Sequence, residues 1–177
     1  MDLYGIIGYP LGHSRSPQYF NEYFQNTDTD AKYLCFELKD IRDIEKLLAQ
    51  YPLLKGFNVT IPHKQNILPY LDEISDEART IGAVNCVKIE HRNNCPFLSG
   101  YNTDVYGFRK ALLDFIPHGI CRALVLGNGG AAKAVRHVLH SLSMEVLTVS
   151  RTPRNPNEIG YAETNRYLPE FRLIVNT

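Results

Sequence analysis

The chain has 177 residues, 44% of them hydrophobic, and its 19 Lys plus Arg balance 19 Asp plus Glu. That apolar content can bury one large core or two small ones, while the neutral balance supplies no electrostatic footprint for nucleic acid or an anionic membrane, so a small-molecule partner is expected. Cys35, Cys86, Cys95 and Cys121 contain no C-x-x-C pair, which excludes a recognisable zinc or disulfide spacing and predicts buried free thiols and no metal.

The N-terminus "MDLYGIIGYP" carries Asp2 and too short an apolar run for a signal peptide. No later stretch approaches the ~18 apolar residues of a membrane span, so a cytoplasmic location is expected. "LYGIIG" predicts a strand, and Ser16-Pro17 starts a helix with Tyr19, Phe20, Tyr23 and Phe24 on one face. "KYLCFELK" reads as a strand. Asp40 opens a second amphipathic helix through Ile41, Ile44, Leu47 and Leu48, and "GFNVTI" is the next strand, completing a β-α-β-α-β pattern. "GAVNCVKIE", the turn signal "RNNCP" and "FLSGYNT" predict a hairpin, and Val105, Phe108, Leu112 and Phe115 mark a helix. The pattern breaks at Pro117 and Gly119, dividing a first domain at 1–116 from a second at 117–177.

The second domain begins with the strand "RALVLG", followed by Gly127-x-Gly129-Gly130-x-Ala132 and a helix with Ala134, Val135, Val138 and Leu142 toward the sheet. This is the dinucleotide-binding pattern: Gly127 allows a tight turn, Gly129 lets backbone approach a pyrophosphate, and Ala132 keeps helix and strand close. Asn128, Gly130 and Ala131 complete the candidate phosphate loop. Any tight strand-to-helix connection can use such glycines, but the strand before, the helix after and the next strand "EVLTVS" fit a nucleotide site. After that strand stand Ser150, Arg151, Thr152, Pro153 and Arg154, with no acid for a ribose 2′-hydroxyl. Two guanidinium groups and a hydroxyl suit a 2′-phosphate, favouring NADP over NAD; a solvated basic turn is the alternative. "RLIVNT" is then the third strand of a first βαβαβ half.

In the first domain, "NVTIPHK" at 58–64 ends a β-branched run at Pro62 and sets Lys64 two residues later. By itself this is either a strand that has run out, followed by a solvated lysine, or a cation placed for chemistry.

Six motifs together resemble the shikimate dehydrogenase family: "GYPLGHSRSP" at 8–17, "NVTIPHK", "GAVN" at 82–85, "GYNTDVYG" at 100–107, "GNGGAA" at 127–132 and "SRT" at 150–152, in register along the whole chain. The resemblance implies an α/β fold, with an N-terminal substrate-binding catalytic domain followed by a Rossmann-like NADP-binding domain. It also implies reversible NADPH-dependent reduction of 3-dehydroshikimate to shikimate, in aromatic amino acid biosynthesis, by a monomer or homodimer. Carried over by residue, it implies that Ser14 and Ser16 hold the substrate carboxylate, that Asn58, Thr60 and Asn85 face the ring and its hydroxyls, and that Lys64 and Asp104 are catalytic. Structural readings stand beside these: Ser16 as a helix cap, Asn85 as a turn residue, and Asp104 as an acid at a helix N-terminus. His13 receives no role.

Two departures are visible. The loop reads G-N-G-G-A where the family commonly has G-A-G-G-A. The family also continues past "RLIVNT" with a nicotinamide-contacting segment, a substrate glutamine and a helix that returns to the first domain, none of which these 177 residues contain. A fragment is therefore expected, with the second domain incomplete, an apolar patch uncovered, weak ligand binding and no measurable turnover. A quinate/shikimate dehydrogenase using NAD and a non-catalytic nucleotide- or metabolite-binding module are the alternatives.

Overall fold

The computed structural model describes residues 1–93, 95–116 and 119–177. Asn94 of the expected turn and Pro117 of the expected boundary lie outside them. The chain forms two compact units, Met1–Asn102 and Thr103–Thr177.

In the first unit, β1 (Asp2–Gly8), α1 (Ser16–Asn26), β2 (Ala31–Glu37), a 3-10 turn (Ile41–Asp43) running into α2 (Ile44–Gln50), and β3 (Leu54–Val59) give the expected β-α-β-α-β. Asp40 caps the turn by accepting from the Arg42 N–H. There follow α3 (His63–Asn66), β4 (Glu73–Ile74), α4 (Asp76–Ile81), β5 (Cys86–Arg92) and β6 (Cys95–Tyr101). Among the described residues the sheet order is β2-β1-β3-β5-β6-β4. β1 is parallel to β2 and β3, whereas β5 runs antiparallel to β3 and pairs with β6 as the expected hairpin.

The alternation of β1 divides the core between two faces of the sheet. Ile7 packs with Phe36, Ile44, Leu54, Phe57 and Val59 in the larger cluster, whereas Ile6 packs with Leu11 and Tyr33, backed by Tyr4, Phe20 and Phe24. Phe20 stacks on Tyr33 with ring centroids 4.6 Å apart. Tyr19 and Tyr23, expected on the covered face of α1, are 65% and 53% exposed, because the helix meets β1 and β2 along the side of Phe20, Asn21 and Phe24. Beside it lies an apolar groove of about 440 Å³ lined by Tyr4, Phe20, Phe24, Tyr33, Phe57 and Val87 among others.

"GAVN", expected as the start of a strand, is instead a helix stop and a loop. Gly82 closes α4 in the left-handed region at φ 69°, and the strand begins only at Cys86.

The second unit contains α5 (Asp104–Phe115), β7 (Arg122–Leu126), α6 (Gly130–Ser141), β8 (Glu145–Val149), β9 (Glu158–Ile159), a 3-10 stretch (Tyr161–Arg166) and β10 (Leu173–Asn176). The division between units falls ahead of α5 rather than after it, since α5 packs on α6 and Arg109 Nη2 donates to Ser141 Oγ. Phe115, expected on the covered face of α5, is 77% exposed; Val105 and Leu112 are buried. On α6 the buried apolar residues include Ala134, Val135, Val138 and Leu139, while Leu142 lies past the last turn as the C-cap.

The order β10-β7-β8-β9 corrects the placing of "RLIVNT". It is not the third strand beyond β8 but lies parallel to β7 on its other side, and the two-residue β9 takes the place beside β8. The segment between them is held by Phe171 and Tyr167, which pack with Leu124, Val149 and Ile159, so the return to β7 buries apolar surface that a third outer strand would leave open.

Among the described residues no helix is long and apolar enough to cross a membrane, and no His/Cys/Asp/Glu group could hold a metal. The cysteines are free but not buried as expected: Cys35, Cys95 and Cys121 are exposed and Cys86 half-buried.

Ile7 is fully buried in the central strand. Ile7→Ala should cost ~2–5 kcal/mol of stability by leaving a cavity that the flanking parallel strands cannot close; a urea unfolding midpoint shifted accordingly, with an unchanged slope, is the expected result.

Candidate functional site

In an open sheet with neighbours ordered 2-1-3, successive connections leave from opposite sides of β1, and a crevice opens beyond the carboxyl ends of β1 and β3. The loops that follow both strands carry the residues singled out in the sequence. After β1, the chain passes through a cis Tyr9–Pro10 bond to Ser14 and Ser16; after β3, through Thr60 and a cis Ile61–Pro62 bond to Lys64.

Backbone hydrogen bonds tie these loops together. Thr60 N–H donates to the Ile7 carbonyl at 2.9 Å and Tyr9 N–H to the Ile61 carbonyl at 3.0 Å. Gly8 lies between them: a Cβ there would collide with Thr60 Cγ2 and come within 2.8 Å of the Ile61 carbonyl, so only glycine permits the approach. The loop after β1 is anchored by Leu11 N–H on Glu37 Oε1 at 2.9 Å, and Ser14 N–H closes back on the Leu11 carbonyl at 2.8 Å. Ser16 opens α1 with Pro17 behind it, but Arg15 holds the N-cap place and no side chain caps the helix. Instead Ser14 Oγ accepts from the Ser16 N–H at 3.4 Å.

Lys64 sits on α3, a single turn that sequence periodicity cannot detect. Its carbonyl accepts from Val84 N–H at 2.8 Å. Asn85, nearly buried, accepts through its own carbonyl from Val59 N–H at 2.8 Å and from Asn58 Nδ2 at 3.3 Å. The structure thus brings Asn58, Thr60, Lys64 and Asn85 to one end of the sheet and carries Ser14 and Ser16 on the adjoining loop.

Three supporting residues were missed by the sequence reading. Tyr33 donates its hydroxyl to Asn58 Oδ1 at 2.6 Å, and burial pushes that phenol well above its ordinary range. His63, beside Lys64, is 2% exposed, with Nε2 at 2.6 Å from the Leu38 carbonyl and no partner for Nδ1 among the described residues. Asn102, 4% exposed, donates to the Ala83 carbonyl at 2.9 Å and so braces the loop that ends in Asn85. Each lay within a quoted stretch, Tyr33 in "KYLCFELK", His63 in "NVTIPHK" and Asn102 in "GYNTD", but none was singled out.

In the second unit, Asp104 stands in the first turn of α5. The glycine loop joins β7 to α6, between β8 on one side and β10 on the other, so it too opens at a switch point of the sheet. Gly127 has φ 113° and a Cβ there would meet Thr177 Oγ1 at 2.5 Å; nothing lies within 4 Å of a Cβ placed on Gly129. Among the described residues no side chain caps α6, so the first-turn N–H groups of Gly130 and Ala131 can meet an outside acceptor. Arg151, Thr152 and Arg154 are exposed on the loop after β8, where Ser150 Oγ accepts from the Thr152 N–H at 3.2 Å. An open backbone cradle followed by exposed guanidinium groups fits a pyrophosphate and a further phosphate.

Tyr33→Phe tests the support of Asn58. The loss should be ~0.5–1.5 kcal/mol of stability, the net worth of one hydrogen bond. The buried phenol has a folded pKa above the unfolded 10.0, so its contribution is complete below pH 10 and fades as pH rises further. Unfolding followed from pH 8 to 11 should show a shallower alkaline fall in the variant.

The chain is similar to known proteins along its whole length. The pattern of the shikimate dehydrogenase substrate binding domain matches residues 6–87. The shikimate dehydrogenase (NADP(+)) of Aquifex aeolicus is 41% identical, the match covering 99% of this chain and 67% of that protein; that of Staphylococcus haemolyticus is 35% identical over 98% and 67%. Shikimate dehydrogenase 1 from Peptoclostridium difficile superposes with a TM-score of 0.83 at 34% identity, covering all of this chain and 66% of that one. The chain therefore spans about two thirds of the length of these relatives.

Proposed function

The chain belongs to the shikimate dehydrogenase family, and we propose that it carries the substrate site and the cofactor-phosphate site of an NADP-dependent shikimate dehydrogenase, acting in the cytoplasm as a monomer or homodimer. The observation that supports this most directly is the set of backbone bonds that gathers Asn58, Thr60, Lys64 and Asn85 beyond the carboxyl ends of β1 and β3. A similar protein, the shikimate 5-dehydrogenase of Thermus thermophilus, has been solved with NADP(H) and shikimate.

In this proposal the first unit takes the substrate. Ser14 and Ser16 bind its carboxylate, with their loop braced by Glu37, and Asn58, Thr60 and Asn85 take the ring hydroxyls. NADPH, when bound, supplies the hydride to the carbonyl carbon. Charge then builds on the carbonyl oxygen, and a lysine ammonium can both stabilise it and deliver the proton. Lys64 has that role, and Asp104, in the first turn of α5, is proposed as the second catalytic residue. The second unit takes the cofactor: the backbone of Gly127, Asn128, Gly129, Gly130 and Ala131 receives the pyrophosphate, and the side chains of Arg151, Thr152 and Arg154 the 2′-phosphate.

Following absorbance at the nicotinamide band, with shikimate against quinate and NADP against NAD, tests the whole reading: shikimate and NADP should be preferred, and a preference for quinate or NAD would overturn it. In the full-length enzyme, Lys64→Ala should lower kcat by ~10²–10⁴-fold with the fold intact by circular dichroism; near-normal kcat would remove Lys64 from the chemistry. Arg151→Ala should weaken NADP by ~1.5–3 kcal/mol, the range for hydrogen bonds to charged groups, and NAD far less. Equal losses in a titration of the two cofactors would assign Arg151 to loop bracing instead.

A further inference from the structure

Asn128 is the one side chain with an amide in a loop otherwise built of glycine and alanine, and both ends of that amide are engaged. Its Nδ2 donates to Glu158 Oε1 at 2.9 Å, and its Oδ1 accepts from Arg136 Nη1 at 2.8 Å. A carboxylate accepts and a guanidinium donates, so no other orientation of the amide satisfies both neighbours. Arg136, half-buried on α6, reaches on to Thr148 Oγ1 of β8 at 3.3 Å.

Glu158, at the start of β9, does more than receive Asn128. Its Oε1 also accepts from Asn155 Nδ2 at 2.7 Å, and its Oε2 from the Arg154 N–H at 2.8 Å. A continuous path of hydrogen bonds therefore runs from α6 through the glycine loop to the loop bearing Arg151, Thr152 and Arg154, all within the second unit. Residues 151–157 are exposed and bury nothing that would fix their shape. Such a loop, if unbraced, must be ordered by each ligand that uses it, at a cost to affinity. Glu158 takes the backbone N–H of Arg154, so the brace leaves the exposed Arg154 side chain to face solvent or an anion.

We propose that Asn128 and Glu158 are positioning residues that fix the 2′-phosphate loop at a set distance from the pyrophosphate loop, and so strengthen, in this chain, the preference for NADP over NAD. This rests on reading the two loops as the NADP site. NAD engages the glycine loop but has no phosphate for the second one; it therefore gains little from the brace. The departure from G-A-G-G-A to G-N-G-G-A acquires a purpose, since alanine can link to neither Glu158 nor Arg136.

The test is calorimetric titration of NADP⁺ and NAD⁺ into the chain, Asn128→Ala, Arg151→Ala and the double variant, with hydrogen exchange at Arg154 as a readout free of cofactor. In Asn128→Ala, NADP⁺ affinity should fall about tenfold, NAD⁺ affinity less than about twofold, and exchange at the Arg154 amide should quicken. The double variant should discriminate no worse than Arg151→Ala alone, because Asn128 acts through that loop. An unaltered chain that binds both cofactors alike would overturn the NADP reading and this inference together. A preference for NADP⁺ in the unaltered chain that is undiminished in Asn128→Ala, or equal loss for both cofactors, would overturn this inference alone.

Discussion

The structure of the first unit depends on how closely two parallel strands can approach where they end. β1 and β3 are hydrogen-bonded neighbours, and past their last residues both chains must turn away in opposite senses. Gly8 makes this possible by having no side chain: Thr60 and the Ile61 carbonyl occupy the space a Cβ would need. Because the strands stay in contact to their tips, Ile7 and Tyr9 bond across to Thr60 and Ile61, and the two loops form one rigid rim rather than two independent excursions. Lys64 and Asn85 are then fastened to that rim through the Val84 and Val59 amides. The polar groups inherit their positions from backbone bonding, which is stiffer than any contact between long side chains.

The second unit solves the same problem with a different economy of parts. Its glycine loop is again hemmed in by a neighbouring strand, here by Thr177 at the end of β10, and again small residues let backbone amides face outward. What the first unit does with backbone bonds between loops, the second does with side chains, through Arg136, Asn128 and Glu158. The difference follows from spacing: the loop after β8 is exposed, and its backbone bonds run within itself or to its own flanking strands rather than to the glycine loop.

Strands announced themselves in the sequence because apolar β-branched runs end at glycine or proline, as in "LYGIIG" and "RALVLG", and the hairpin of β5 and β6 was legible for the same reason. The turn that holds Lys64 was not, because four residues show no helical period, and the two-residue strands β4 and β9 are defined by their partners rather than by their composition. Errors of facing had a common cause. Tyr19, Phe115 and Leu142 are apolar or aromatic at helical spacing, yet α1 and α5 each meet a neighbour along a narrow stripe and α6 ends before Leu142. The order of β10 was illegible because hydropathy says that a strand is buried, not beside which strand. Candidate site residues were readable as motifs, whereas Tyr33, His63 and Glu158 hold their places through contacts distant in sequence.

Each unit is built from an unbroken run of the chain, Met1–Asn102 and then Thr103–Thr177. On a ribosome adding roughly 5–20 residues per second, such units can fold in the order in which they emerge. Within the first, however, β4 at Glu73–Ile74 must wait for Ser99 and Gly100 of β6, with which it pairs, and Asp72 caps Leu98 N–H across the same gap. The sheet therefore closes its far edge only when its last strand has left the exit tunnel, and β3, though paired early with β1, gains its second partner only with β5. The rim that holds Lys64 waits likewise on Val84 and Asn85, and the bracing from Asn102 to the Asn85 loop becomes possible only with the last residue of the unit.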